Sequence, residues 1–270
     1  MQFSAFKKRH LMFERIKIKQ LNEHIHLLDD NGEATGYLVT GKEKAAVIDT
    51  MNGTEDMHKA VRTITDLPLV LINTHGHCDH IFGNIYFDQA FMNPLDLPLA
   101  AEQMKHKEFE AICRKTGLSM PPFKPVADKD VFDLGGLTLE VVALPGHTQG
   151  GICLLLKQDR VLFTGDSINH HLWMQLDECL PISGFYENLK KIAFVKDKAD
   201  FILHGHAQSF DSITLYDELL LGVKDLFESG GKDDEVFDYE YKWFKGKCKH
   251  HPFGTDESVI CYSYKFARFA

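Results

Sequence analysis

The segment His75-Gly76-His77-Cys78-Asp79-His80 places three imidazoles and a carboxylate within six positions. It follows Leu69–Asn73 (LVLIN), a short apolar run of the kind that forms a buried strand. Alternate residues in an extended exit from that strand point the same way, so His75 and His77 can share one ion. Asp79 and His80 lie a step further on and can turn toward a second ion. Neutral imidazole nitrogen and carboxylate oxygen suit zinc, iron or manganese, whereas a closed structural zinc site would favour thiolates. Few donors per ion leave coordination open for water, which metal-assisted hydrolysis requires. One isolated histidine would read as a solvated side chain; four donors at HxHxDH spacing read as a metal motif.

Three later segments share one grammar, a polar donor where a strand meets a glycine-marked loop. Pro145-Gly146-His147-Thr148-Gln149-Gly150 follows the strand-like Leu137–Leu144. Thr164-Gly165-Asp166-Ser167 follows Val161, and Leu203-His204-Gly205-His206 follows Phe201-Ile202. Loops at strand ends are where layered α/β enzymes carry their chemistry. His147, Asp166 and His206 therefore join the candidate donors, with His204 read as a packed neighbour.

These loops need elements to hold them. The pattern predicts strands at His24–Leu28, Thr35–Thr40, Ala45–Asp49, Leu69–Asn73, Val131–Phe132, Leu137–Leu144, Ile152–Leu156, Val161–Thr164, 201–204 and Ser258–Tyr264. Helices are expected at Thr54–Thr65, capped by Thr54, and at 101–116, 185–194 and 211–228. Alternating strands and helices imply an α/β protein with covered sheets. With no repeat and no low-complexity linker, residues 1–270 read as a single domain, 1–11 being a dispensable extension.

Composition narrows the function. Acidic residues outnumber basic ones 39 to 30, giving a net charge of −9 with no long Lys/Arg run, so nucleic acid and anionic membranes are not expected partners. The six cysteines are scattered without a CxxC pair and read as reduced thiols. No apolar stretch has the length of a signal peptide or a membrane span, which predicts a cytoplasmic protein acting on a small-molecule substrate.

Taken in order, Ala46-Val47-Ile48-Asp49-Thr50, His75-Gly76-His77-Cys78-Asp79-His80, Pro145-Gly146-His147-Thr148, Thr164-Gly165-Asp166 and Gly205-His206 resemble the motifs of the metallo-β-lactamase-fold hydrolase superfamily. The resemblance covers nearly the whole chain. It implies a four-layer αββα sandwich with a dinuclear centre at one edge. His75, His77 and His147 would hold the first metal, Asp79, His80 and His206 the second, and Asp166 would bridge them. Asp49 would support the site without binding metal. The cofactors implied are two divalent ions, zinc foremost, with iron or manganese as alternatives. Two cations about 3.5–4 Å apart share a hydroxide whose pKa falls toward ~7, and that hydroxide attacks a carbonyl. Asp79 would orient it as the catalytic residue.

Within the superfamily, the absence of a leader and the presence of Asp166 argue against a true β-lactamase. His77 argues against the di-iron flavoproteins, and the charge argues against RNA cleavage. What remains looks like the glyoxalase II and acyl-homoserine lactonase side, cleaving a small ester, thioester or lactone. His80-Ile81-Phe82-Gly83-Asn84 is close to the corresponding glyoxalase II stretch except at Phe82, and no basic glutathione-binding cluster is evident. The competing readings are a mononuclear iron persulfide dioxygenase and a non-catalytic metal-binding domain. Three irregular segments are candidate substrate walls: Ser119–Val126; Ser167–Tyr186, with His170, His171 and Trp173; and the aromatic stretch Tyr241–Phe244. His250-His251 reads as a solvated pair.

Overall fold

A computed structural model describes residues 13–241, 244–255 and 257–263. The N-terminal extension and Trp243 of the aromatic stretch lie outside the described residues, as does the Tyr264 end of the last expected strand.

The first sheet runs in chain order through β1 (Ile16–Gln20), β2 (Ile25–Asp30), β3 (Thr35–Thr40), β4 (Ala45–Ile48), β5 (Leu69–Ile72), β6 (Ala90–Met92) and β7 (Phe123–Pro125). Its first four strands are antiparallel, and from β4 onward the pairing is parallel. The second sheet uses β8 (Val131–Asp133), β9 (Thr138–Ala143), β10 (Ile152–Leu156), β11 (Val161–Gly165), β13 (Phe201–His204) and β14 (Asp211–Ser212), in the order β14-β13-β11-β10-β9-β8. The uninterrupted apolar run ICLLL of β10 has a direct cause. Ile152, Leu154 and Leu156 face the first sheet, while Cys153 and Leu155 face the helices behind, so neither face meets water.

Between the sheets, Ile25, Tyr37, Ile48 and Ile72 interdigitate with Val141, Leu154, Phe163 and Leu203. On the outer face of the first sheet, Met57, Ala60 and Val61 of α1 (Met57–Arg62) pack on Leu38, Val47 and Leu71. On the outer face of the second, α5 (Ile182–Lys191) and α7 (Thr214–Ser229) bury Phe185, Leu189, Leu219 and Val223 against Val142, Leu155 and Leu162. Each such side chain contributes on the order of 1.5–3 kcal/mol. The four layers are helix, sheet, sheet, helix, as the motifs implied.

The differences are local. The first helix starts at Met57, because the side chain of Asp56, not Thr54, accepts from Lys59 N. Between β5 and β6 the chain forms the short α2 (Cys78–Ile81). The helix expected at 101–116 is two helices, α3 (Leu97–Gln103) and α4 (Lys107–Thr116), the second closed by Gly117 at φ 72°. Short α6 (Val195–Lys198) precedes β13.

A third sheet, absent from the expectation, pairs β12 (His171–Met174) with β17 (Val259–Ser263), β16 (Phe244–Pro252) and β15 (Glu235–Tyr241), in that order. The β15–β16 pair sets Asp238 opposite Lys247 and Glu240 opposite Lys245. His251 is buried at 5 % exposure between Asp234 (3.0 Å) and Asp225 (3.2 Å), so it is not solvated as expected. No helix among the described residues is long and apolar enough to cross a membrane.

Candidate metal centre

The centre sits where β4, β5, β9, β11 and β13 end, and its donors are carried by the loops that leave the last four of these strands. Asp49, immediately after β4, adopts a left-handed conformation (φ 57°). Its two carboxylate oxygens accept from Thr74 N (2.8 Å), Thr74 Oγ1 (2.6 Å) and His80 Nδ1 (2.9 Å). A non-glycine residue in this region costs on the order of 1 kcal/mol and clusters at functional sites. Here the three bonds anchor the start of the HxHxDH loop. Asp96 ties that loop to the next one. It accepts from Gly76 N (3.0 Å), Thr148 Oγ1 (2.8 Å) and Gly150 N (2.6 Å). Gly165 (φ 50°) and Gly205 admit close approach, since a Cβ would fall 2.3 Å from Thr74 Oγ1 at the first and 2.4 Å from Asp166 Oδ1 at the second.

All seven candidate donors converge into two adjacent groups. In the first, His75, His77 and His147 bring ring nitrogens within 4.8 Å of one another; in the second, Asp79, His80, Asp166 and His206 do the same with nitrogens and carboxylate oxygens. Asp166 reaches toward both. Its Oδ1 is 3.5 Å from His80 Nε2, and its Oδ2 is 3.2 Å from His206 Nε2 and 3.9 Å from His147 Nε2. Asp79 Oδ2 stands 3.8 Å from both His80 Nε2 and His206 Nε2.

The outward-facing nitrogens explain why each ring points inward. His75 Nδ1 meets Thr74 Oγ1 (3.0 Å), whose own proton is committed to Asp49. His77 Nε2 meets Glu178 Oε1 (2.6 Å), His80 Nδ1 meets Asp49, His147 Nδ1 meets the carbonyl of Trp173 (2.6 Å), and His206 Nδ1 meets the carbonyl of Glu33 (2.9 Å). Each imidazole thus has an acceptor outside the centre for one N–H, so that His75 Nε2, His77 Nδ1, His80 Nε2, His147 Nε2 and His206 Nε2 face the interior and can offer lone pairs to a cation, His77 Nδ1 and His147 Nε2 standing 3.0 Å apart. This is the arrangement metal-binding histidines adopt. Three of the inward atoms, His75 Nε2, His80 Nε2 and Asp166 Oδ1, are buried without any hydrogen-bond partner among the described residues. Buried polar atoms are rarely left so, and a divalent cation would satisfy all three at once. The donor set fits the metals that the sequence implies.

Charge in the metal-free cluster is arranged in opposition. Burial, reinforced by the neighbouring histidines, pushes His75 well below the ordinary imidazole range and His147 down to about 4. Burial also opposes protonation of His80 and His206, but Asp166 and Asp79 outweigh it, raising His80 strongly and His206 to about 9. Burial would raise Asp166, yet His206 and His80 hold it well below the usual carboxylate range. Protons therefore stand on the second group where a cation would neutralise the same carboxylates.

The donors open onto a cavity of about 610 Å³ whose wall includes His170, His171, Trp173, Leu176 and Glu178. The expected wall segment Ser167–Tyr186 thus contributes, although Met174 and Tyr186 pack into the core behind it. Ser119–Val126 does not line the cavity; Met120 and Phe123 pack with Cys78, Phe82 and Phe109. The expected neighbour His204 faces Asp211 (3.3 Å) and accepts from His206 N (3.2 Å), with no place in either donor group. Sequence reasoning missed Glu178, Thr74, Asp96 and the two carbonyls. An acid a hundred residues from its histidine carries no spacing signal, and a backbone acceptor carries none in side-chain type.

The family model described as Metallo-beta-lactamase superfamily matches residues 30–206. Among curated proteins, an acyl-coenzyme A thioesterase MBLAC2 of Gallus gallus is 24 % identical over 70 % of this chain and 77 % of its own length. Its Homo sapiens counterpart is 25 % identical over 70 % and 78 %. A hydroxyacylglutathione hydrolase of Mesorhizobium japonicum is 30 % identical over 47 % of this chain and 44 % of its own. Among solved structures, a metallo-beta-lactamase from Pontibacter korlensis superposes with a TM-score of 0.62 at 20 % identity, covering 78 % of this chain and all of that one.

Proposed function

The chain belongs to the metallo-beta-lactamase superfamily, and from that premise we propose that it is a dinuclear metal-dependent hydrolase of a small thioester, ester or lactone. The superfamily implies a divalent-metal site, and the relatives named above are hydrolases. One observation carries the finer reading. Five imidazoles are each fixed by an outside acceptor so that their free nitrogens converge in two groups on Asp166.

In this reading His75, His77 and His147 would hold one cation and Asp79, His80 and His206 the other, with Asp166 available to both. Bound there, the cations would supply Lewis acidity, lowering the pKa of water toward ~7 and offsetting charge on a carbonyl oxygen. The chain's own residues do the positioning. Asp166 would offset the mutual repulsion of two cations with a single carboxylate. Asp79, at the cavity wall, accepts a hydrogen bond from the attacking water and orients it. Glu178 fixes the His77 ring and stabilises positive charge spread onto it.

A thioester is supported by the relatives' names, since acyl-coenzyme A and hydroxyacylglutathione are both thioesters. Among the described residues no Lys or Arg lines the cavity, while Glu33, Asp177 and Glu178 do. That wall favours a substrate without a polyanionic tail. The test is a screen of neutral and anionic thioesters, esters, lactones, phosphodiesters and β-lactams on the purified protein, repeated after chelation and after metal is restored. Turnover of a carbonyl substrate that is lost on chelation and recovered with zinc is expected. Cleavage confined to phosphodiesters, or turnover indifferent to chelation, would refute the proposal.

A further inference from the structure

A second set of donors lies outside the centre, on the third sheet. His171 on β12, His250 on β16 and Cys261 on β17 bring one ring nitrogen each and the sulfur within 4.8 Å of one another. The register explains the convergence: Cys261 pairs with His250 on one side and with Trp173 on the other, and His171 stands two residues before Trp173 on the same face. The His171 and His250 ring centroids are 5.8 Å apart. Neither ring makes a hydrogen bond among the described residues, in contrast to the five rings of the main centre. Cys261 is fully buried, with Cys248 beside it at 1 % exposure, whereas His171 is exposed at the cavity mouth.

We propose that His171, His250 and Cys261 form a separate binding site for a zinc-class cation at the mouth of the cavity. Two imidazoles and a thiolate make a borderline-soft set, suited to zinc and poorly suited to magnesium or calcium. Partial desolvation, with His250 beside the otherwise exposed His171, lowers both rings below the usual imidazole range, which keeps them neutral and able to donate a lone pair. Burial likewise raises the Cys261 thiol, so the cation displaces its proton to solvent as the metal–sulfur bond forms.

The site would join three strands of a sheet whose β15–β16 hairpin is half-exposed. It also adjoins the main centre through one residue. Trp173, in register with Cys261, gives its carbonyl to His147 Nδ1. A cation here would fix β12 and, with it, the acceptor that orients His147.

Cobalt tests this independently of any substrate, because the seven donors of the main centre include no sulfur. Titrating the metal-free full chain with Co²⁺ should give a sulfur-to-cobalt charge-transfer band after the main centre fills. Cys261→Ser should abolish the band and lower the bound metal by one ion per chain. Cys78→Ser should leave the band in place, excluding the thiol within the HxHxDH loop. His171→Ala, at an exposed position where folding is not at issue, should weaken the sulfur-bearing site at least about tenfold, the scale on which loss of a supporting group already acts. A saturated protein without the band, a band that survives Cys261→Ser, or unchanged affinity in His171→Ala would each overturn the proposal.

Discussion

Removing Glu178 isolates the role of the acceptors that surround the centre. Its Oε1 lies 2.6 Å from His77 Nε2, and the two side chains are only 23 % and 10 % exposed, so solvent replaces little of the interaction. A hydrogen bond to a charged group contributes about 1.5–3 kcal/mol. At about 1.4 kcal/mol per factor of ten, its loss should weaken the cation held by His75, His77 and His147 by roughly 10–100-fold. Glu178→Ala should show that full effect. Glu178→Gln keeps an acceptor oxygen but not the charge, and should fall between it and the native protein. Asp177→Asn, one residue away and with no bond to the centre among the described residues, should leave metal affinity unchanged. The assay is competition against a chelator of known affinity, with hydrolysis measured at saturating metal. If Glu178→Ala binds metal and turns over substrate like the native protein, the argument from ring orientation is wrong.

Asp166→Asn preserves shape but removes the shared charge, so it should lose at least one ion and nearly all activity while circular dichroism stays native; two ions and full rate would dismiss the bridging role. His206→Ala should strip metal from the second group and His204→Ala should not, read by metal stoichiometry; the reverse pattern would reassign the pair. Gly205→Ala drives a Cβ to 2.4 Å from Asp166 Oδ1 and 2.5 Å from His80 Cε1, and should impair metal binding more than overall stability. Asp166 and Asp79 outweigh burial to raise His206 to about 9, so near neutral pH the metal-free ring is protonated, and binding a cation must expel that proton. Apparent affinity should therefore fall as pH drops below about 9, with proton release visible in calorimetry across buffers of different ionisation enthalpy; absence of release would contradict the charge arrangement described above.

The seven inward donors were legible because they fall in short motifs at strand ends, where residue type and chain position carry the signal together. The two-sheet core was legible for a related reason: ICLLL and LVLI have the composition that burial on both faces demands. The third sheet was not, apart from β17, which falls within the strand expected at Ser258–Tyr264. Its β16 strand, FKGKCKHHP, is charged on alternate positions because it forms a hairpin with the acidic β15, so its apolar content is too low to read as a strand. Glu178, Asp96 and the carbonyls of Trp173 and Glu33 escaped notice because what gives them their role is a position in space. His251 was misread because Asp225 and Asp234, which pair with its ring, lie 26 and 17 residues away.

The central claim is that two groups of donors hold two cations with Asp166 between them. Anomalous diffraction from a crystal of the zinc-loaded protein tests it directly. Two peaks are predicted within the centre, one against His75, His77 and His147 and the other against Asp79, His80 and His206, with Asp166 in contact with both. A single peak at full occupancy, or two peaks that leave Asp166 uncoordinated, would contradict it.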